Sequence, residues 1–131
     1  MRAMFGSIAS IAAGASIGAL LRWALASRFN PASPQLPLGT LTANLLGGYL
    51  VGVAVAYFAQ RPDLPIEVRL FVITGFLGGL TTFSTFSAEV ITQLQNGQPL
   101  AAVLTALTHM LGSFALTALG IATVAWLRQS A

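Results

Sequence analysis

Gly75-Phe76-Leu77-Gly78-Gly79-Leu80-Thr81-Thr82-Phe83-Ser84-Thr85-Phe86 is the stretch on which the reading of this chain turns. It lies inside an apolar run long enough to cross a bilayer, yet it carries three glycines and four hydroxyl side chains. Backbone that leaves the helix at membrane depth is tolerated only where its polar groups are buried in protein or line a polar cavity. Half-helix ends near the bilayer midplane are also a known way to build an ion site. The stretch predicts a third span broken at the midplane and places the function there.

The rest of the chain has the same character. Its 131 residues are 56% hydrophobic and 7% charged, with a mean hydropathy of +0.81. That is too little charge to cover the surface of a water-soluble domain. Apolar runs at 4–26, 38–59, 70–94 and 100–127 each exceed the ~20 residues a helix needs to span ~30 Å of hydrocarbon. They predict an all-α membrane protein, four transmembrane helices in a single domain covering 1–131. The linkers at 29–37, 60–65 and 95–99 are short and rich in proline and amides, so successive helices run antiparallel. Arg2, the apolar residues after it and the small residues at 12–15 faintly resemble a signal peptide. The apolar run continues to Leu21, which favours a retained first span.

Charge and composition exclude several functions. The isoelectric point is near 10.7, but the net charge is only +3 and the arginines form no face that could follow a phosphate backbone, so nucleic acid is not an expected partner. With no cysteine there are no disulfides, thiolate metal sites or cysteine nucleophiles. No paired carboxylates, triad or phosphate loop suggests an enzyme. Arg2, Arg61, Arg69 and Arg128 would share one side of the membrane, diluted by Asp63 and Glu67, with Arg28 and Arg22 toward the other. The positive-inside bias is therefore weak. Charge alone leaves open both a modest single orientation and insertion in both orientations.

Three small-residue motifs, Gly14-x-x-x-Gly18, Gly48-x-x-x-Gly52 and Gly75-x-x-x-Gly79, let helix backbones approach closely in lipid. Some must serve packing inside one subunit. Their number in so short a chain favours an oligomer, most simply a two-fold dimer. Four polar residues within the spans also call for a role. Asn44 offers an amide with donors and an acceptor, for which a single interhelical hydrogen bond is the plainest use. Glu89 is the one carboxylate away from the loops, and a buried ionisable group is a functional candidate, although it could lie near the span end. Arg22 is placed to snorkel toward the interface. His109, the single histidine, makes a poor metal site alone and suits packing or a pore lining.

Gly14-Ala15-Ser16-Ile17-Gly18-Ala19-Leu20-Leu21-Arg22-Trp23, Gly39-Thr40-Leu41-Thr42-Ala43-Asn44 and the Gly75–Phe86 stretch together resemble the signature segments of Fluc (CrcB-type) fluoride channels. His109-Met110-Leu111-Gly112-Ser113 resembles the start of that family's fourth-span motif. The resemblance covers all four spans; Trp23 stands where many members carry tyrosine.

The resemblance implies an antiparallel, dual-topology homodimer in a bacterial-type inner membrane. It would pass fluoride passively through two pores and so lower cytoplasmic fluoride. It also implies a structural, non-transported Na⁺ at the dimer interface, held by the backbone carbonyls of Gly78 and Thr81. Phe83 and Phe86 would line the pores, Asn44 would face the anion with Ser113 nearby, and Arg22 would look toward a vestibule. Thr82, Ser84, Thr85, Glu89, His109 and Thr117 would extend the polar track.

The physics of the residues is compatible with this. Fluoride is small and strongly hydrated, so a pore must replace its water with donors. Aromatic rings present a positive edge, and Phe83 and Phe86, three residues apart, share a helix face. A Cβ at Gly78 is expected to crowd a close backbone approach. The alternative is a small proton-coupled multidrug antiporter, which needs a central carboxylate; Glu89 is the one available.

Overall fold

The computed structural model describes residues 1–33 and 35–130. Pro34 of the first linker and Ala131 lie outside them, as does the side chain of Arg2 counted in the orientation reading.

Four helical segments, Ala3–Ala32, Leu38–Ala59, Ile66–Gln95 and Pro99–Gln129, are long and apolar enough to cross a membrane. The first is helix α1 (Arg2–Phe29) followed by a 3₁₀ turn, Asn30–Ala32. Helix α2 is Leu38–Ala59. The third segment starts as helix α3 (66–80), an α-helical turn Ile66–Arg69, a π-helical stretch Leu70–Leu77 and a last turn Gly78–Leu80. It resumes as α4, Ser84–Gln95, and α5 is Pro99–Gln129. The first, third and fourth helical segments outrun the apolar runs at their ends, whereas α2 matches its run. Proline sets two of the starts: Pro65 is extended (φ −54°, ψ 143°) before Ile66, and Pro99 opens α5, where its missing N–H costs nothing.

The bundle is held together by close approach more than by bulk. The fully enclosed apolar residues are few: Ala43, Ala54, Phe58, Leu77 and Leu80 form the core cluster. Elsewhere glycines bring backbones together. A Cβ on Gly14 or Gly18 would strike the Phe71 or Phe76 carbonyl of α3, and one on Gly75 or Gly79 would meet α1 at Ile11 or Ala15. A Cβ on Gly52 would strike the Thr117 carbonyl of α5, and Gly48 and Gly120 seal the same α2–α5 seam. All three motifs thus serve packing within one chain, and the oligomer argument drawn from their number is corrected. Their spacing marks close helix contact without saying which helix is the partner.

Side chains close the helix ends. Pro37 has no oxygen to cap α2, and Asn30 does so from the preceding turn, its Oδ1 accepting from the N–H groups of Gly39 (2.7 Å) and Thr40 (3.1 Å). At the other end of α2, Arg69 donates to the Phe58 carbonyl (3.1 Å) and lies over the Phe58 ring. In the loop between them Arg61 grips Asp63 through two bonds of 3.1 and 3.0 Å. That guanidinium holds the Asp63 carboxyl below the usual carboxylate range. A depressed folded pKa adds stability above the unfolded value, near 3.9, that is lost as pH falls through the folded one. The pair is fully solvated, so Asp63→Asn is expected to leave the melting temperature in detergent unchanged within error at pH 7.

Candidate functional site

The glycine- and threonine-rich stretch behaves unlike the rest of its span. Helical hydrogen bonding lapses after Leu80, where Thr81 is extended (φ −81°, ψ 155°) and α4 does not begin until Ser84. Released backbone groups find side-chain partners. The Thr82 N–H, which would have closed a helical turn on the Gly78 carbonyl, donates instead to Asn44 Oδ1 at 2.7 Å. The Thr85 N–H, which would have closed on Thr81, donates to Thr82 Oγ1 at 3.1 Å. The Gly78 and Thr81 carbonyls are thereby left without their helical donors. The Gly79 carbonyl is filled by Arg22 Nε at 3.0 Å, so Arg22 is a local partner of this stretch and does not snorkel away from it.

Asn44 is fixed by these contacts. Because its Oδ1 must face the Thr82 N–H, its Nδ2 supplies the other two bonds, to the Thr82 carbonyl (3.0 Å) and to His109 Nδ1 (3.0 Å). Both amide hydrogens are therefore engaged. His109 Nδ1 is an acceptor, so a neutral imidazole carries its proton on Nε2, which is buried without a partner. The His109 ring stacks on Phe86 (centroids 4.7 Å, 20°), and Phe86 meets Phe83 edge to face (5.5 Å, 71°). Phe86 is buried, whereas Phe83, just before α4, is 76% exposed.

These residues line a groove of about 300 Å³ together with Gly48, Thr81, Thr82, Met110, Ser113 and Phe114. Of the residues singled out in the sequence, Asn44, Thr81, Thr82, Phe83, Phe86, His109 and Ser113 thus come together. Ser84 and Thr85 stand beside the groove, bonded to Thr82 Oγ1 (3.3 and 3.1 Å). Arg22 and Gly78 do not line it. Thr117 lies one turn beyond Ser113 with its hydroxyl committed to the Gly48 carbonyl (3.0 Å). A Cβ on Gly78 would meet only the Ile73 carbonyl, at an ordinary 3.7 Å, so the chain itself leaves room for it.

A second set of polar contacts ties α4 to the start of α2 and to the linker before it. Glu89 Oε1 accepts from Thr40 Oγ1 at 2.6 Å, and Thr40 Oγ1 accepts from Asn30 Nδ2 at 3.1 Å. Gln93 Nε2 donates to the Gln35 carbonyl at 2.8 Å. Among the described residues, Glu89 Oε2, Gln93 Oε1, Thr105 Oγ1 and His109 Nε2 are buried side-chain atoms without partners. Sequence reasoning gave no role to Asn30, Thr40, Gln93 or Thr105. The spacing of Glu89 with Gln93 and of Thr105 with His109, four apart in apolar helices, was the available signal.

Fold and groove together define a multi-pass membrane protein whose polar side chains gather at an interruption in one span. The family described as CrcB-like protein, Camphor Resistance (CrcB), matches residues 9–121, and the chain belongs to that family. A relative from Tolumonas auensis, called Fluoride-specific ion channel FluC, is 57% identical over 97% of this chain and 100% of its own. Relatives of the same name from Nitrosospira multiformis and Burkholderia cenocepacia are 55% and 59% identical, over 94% and 95% of this chain and 96% and 98% of theirs. Each of these three relatives is thus named as an ion channel.

Proposed function

We propose that this protein is a fluoride-specific channel, passing F⁻ passively across the membrane, in the bacterial setting an inner membrane, and so lowering cytoplasmic fluoride. The observation that carries the reading is the groove at residues 81–86, where the Asn44 side chain, threonine and serine side chains and the Phe83 and Phe86 rings line one apolar-walled cleft. A small anion gains from donors and from the positive edges of rings, and carboxylates are absent from the lining. The sequence relatives are named for fluoride. The antiporter alternative has no such support, and Glu89, its required carboxylate, has one oxygen engaged by Thr40.

The active form in this reading is an antiparallel, dual-topology homodimer. Thr74, Gly78, Phe83 and Ser84 are exposed on a single chain, and lipid tails satisfy no polar group. A partner in the opposite sense would cover them and meet the interrupted span, placed at the midplane, with its own. The Gly78 and Thr81 carbonyls fit a structural Na⁺: they are uncharged oxygens without their helical donors, of the kind that replaces a cation's water. Two from each subunit would hold the ion, which would supply a fixed positive charge between the two anion paths. Exchanging sodium for a bulky organic cation is expected to weaken the dimer and abolish efflux; full activity in sodium-free buffer, or a sodium current, sinks this site.

Liposomes loaded with fluoride or chloride test the function directly. Fluoride efflux with no proton coupling and no matching chloride efflux is expected; equal passage of both anions, or proton-coupled exchange of organic cations, refutes it. Phe83→Ile and Phe86→Ile keep bulk and remove the polarised edge. Each is expected to lower efflux at least about tenfold, the size of a ~1.4 kcal/mol interaction, with the dimer intact by size exclusion.

A further inference from the structure

Asn30 lies outside the groove, in the turn between α1 and α2, yet its side chain makes three bonds that leave it no freedom. Its Oδ1 accepts from the backbone N–H groups of Gly39 and Thr40. A backbone N–H can only donate, so the amide cannot be flipped, and Nδ2 must be the atom that meets Thr40 Oγ1 at 3.1 Å. The Thr40 hydroxyl has one hydrogen. With Asn30 donating to its oxygen, that hydrogen goes to Glu89 Oε1, 2.6 Å away. The direction of every bond in the relay is thus set by two N–H groups at the start of α2 and by the Glu89 carboxylate, which when ionised can only accept. One carboxyl oxygen of Glu89 is pinned, and the other is left buried and unpartnered.

We propose that Asn30 is a positioning residue for the ion path, acting through Thr40 to fix the Glu89 carboxyl with Oε1 held and Oε2 left free to meet the ion. The proposal rests on the reading that Glu89 belongs to the fluoride path. Asn30→Asp separates this role from helix capping. Aspartate caps as well as asparagine, but its second oxygen cannot donate to Thr40. The single hydroxyl hydrogen is then contested by two carboxylates, and Glu89 Oε1 no longer holds its donor alone.

The experiment is a double-mutant cycle of Asn30→Asp and Thr40→Val in the full-length protein, measured as fluoride efflux from liposomes, with infrared spectra of ¹³C-glutamate protein beside it. Asn30→Asp is expected to slow efflux at least tenfold, and to slow it no further when Thr40→Val is already present. Losses that multiply, or an Asn30→Asp efflux within twofold of wild type, overturn the proposal while the channel reading stands. Glu67 and Glu89 are the chain's two glutamates, so in a Glu67→Gln background the labelled carboxyl band reports Glu89 alone. It is expected to shift with Asn30→Asp. An unmoved band overturns the proposal whether or not the wild type conducts, whereas wild-type protein without fluoride efflux but with a shifted band supports the relay and refutes the channel reading. If Asn30→Asp does not fold, Asn30→Ser, which keeps a capping oxygen and has no amide donor, is held to the same outcomes.

Discussion

Asn44→Asp is expected to abolish fluoride efflux, by about a thousandfold or more. Asparagine serves two masters in the groove: its oxygen takes the Thr82 N–H, and its nitrogen gives hydrogens to the Thr82 carbonyl and to His109 Nδ1. Aspartate keeps the first contact and turns the one to the Thr82 carbonyl into oxygen facing oxygen, an unmade buried bond worth ~1–3 kcal/mol. His109, whose Nε2 has no partner, can move its proton to Nδ1 and donate to the new carboxylate. The substitution also puts a negative charge in the wall of an anion path. At ~4 Å and an effective dielectric constant of about 20, two like charges repel by ~4 kcal/mol, about three decades in rate. The repulsion therefore outweighs the lost hydrogen bond in deciding flux, while the lost bond decides how far the melting temperature falls. Wild-type efflux from folded Asn44→Asp protein would remove Asn44 from the path.

The second large effect is on assembly of the bundle. Gly52→Val is expected to leave no folded protein in detergent. A Cβ there meets the Thr117 carbonyl, its carbon and the Ile121 nitrogen, all backbone atoms of α5, and backbone cannot swing aside as a side chain can. Overpacking a core costs ~1–3 kcal/mol where side chains can adjust, and more where two helices must separate. Gly97→Ala is the comparison. Gly97 sits at φ 71° with nothing near its Cβ position, so the cost is the left-handed backbone alone, ~1–2 kcal/mol. Gly78→Ala should be milder still in the isolated chain, where its Cβ has room. Equal melting temperatures for Gly52→Val and Gly97→Ala would show that the α2–α5 contact is looser than described.

Much of this protein could be read before any fold was known. Four spans follow from length and hydropathy, because a helix in hydrocarbon must be about 20 residues long and apolar on every side. The stretch at 75–86 could be singled out for a local reason: glycines and hydroxyls in a span weaken the helix and need partners. Asn44 and His109 stood out in the same way, as polar groups inside apolar spans, whereas Thr82, Phe83 and Phe86 took their roles from the family resemblance. The tertiary structure decided what each one touches. Glycine spacing says that a backbone is close without saying whose, and Gly14, Gly18, Gly48, Gly52, Gly75 and Gly79 all found theirs within the chain. Arg22 looked free to reach the interface until α1 and α3 packed and the Gly79 carbonyl lay within its grasp. Asn30 and Thr40 were silent in the sequence because their bonds cross between elements: a hydrogen bond takes its direction from the donor it meets, and only the assembled helices supply that donor.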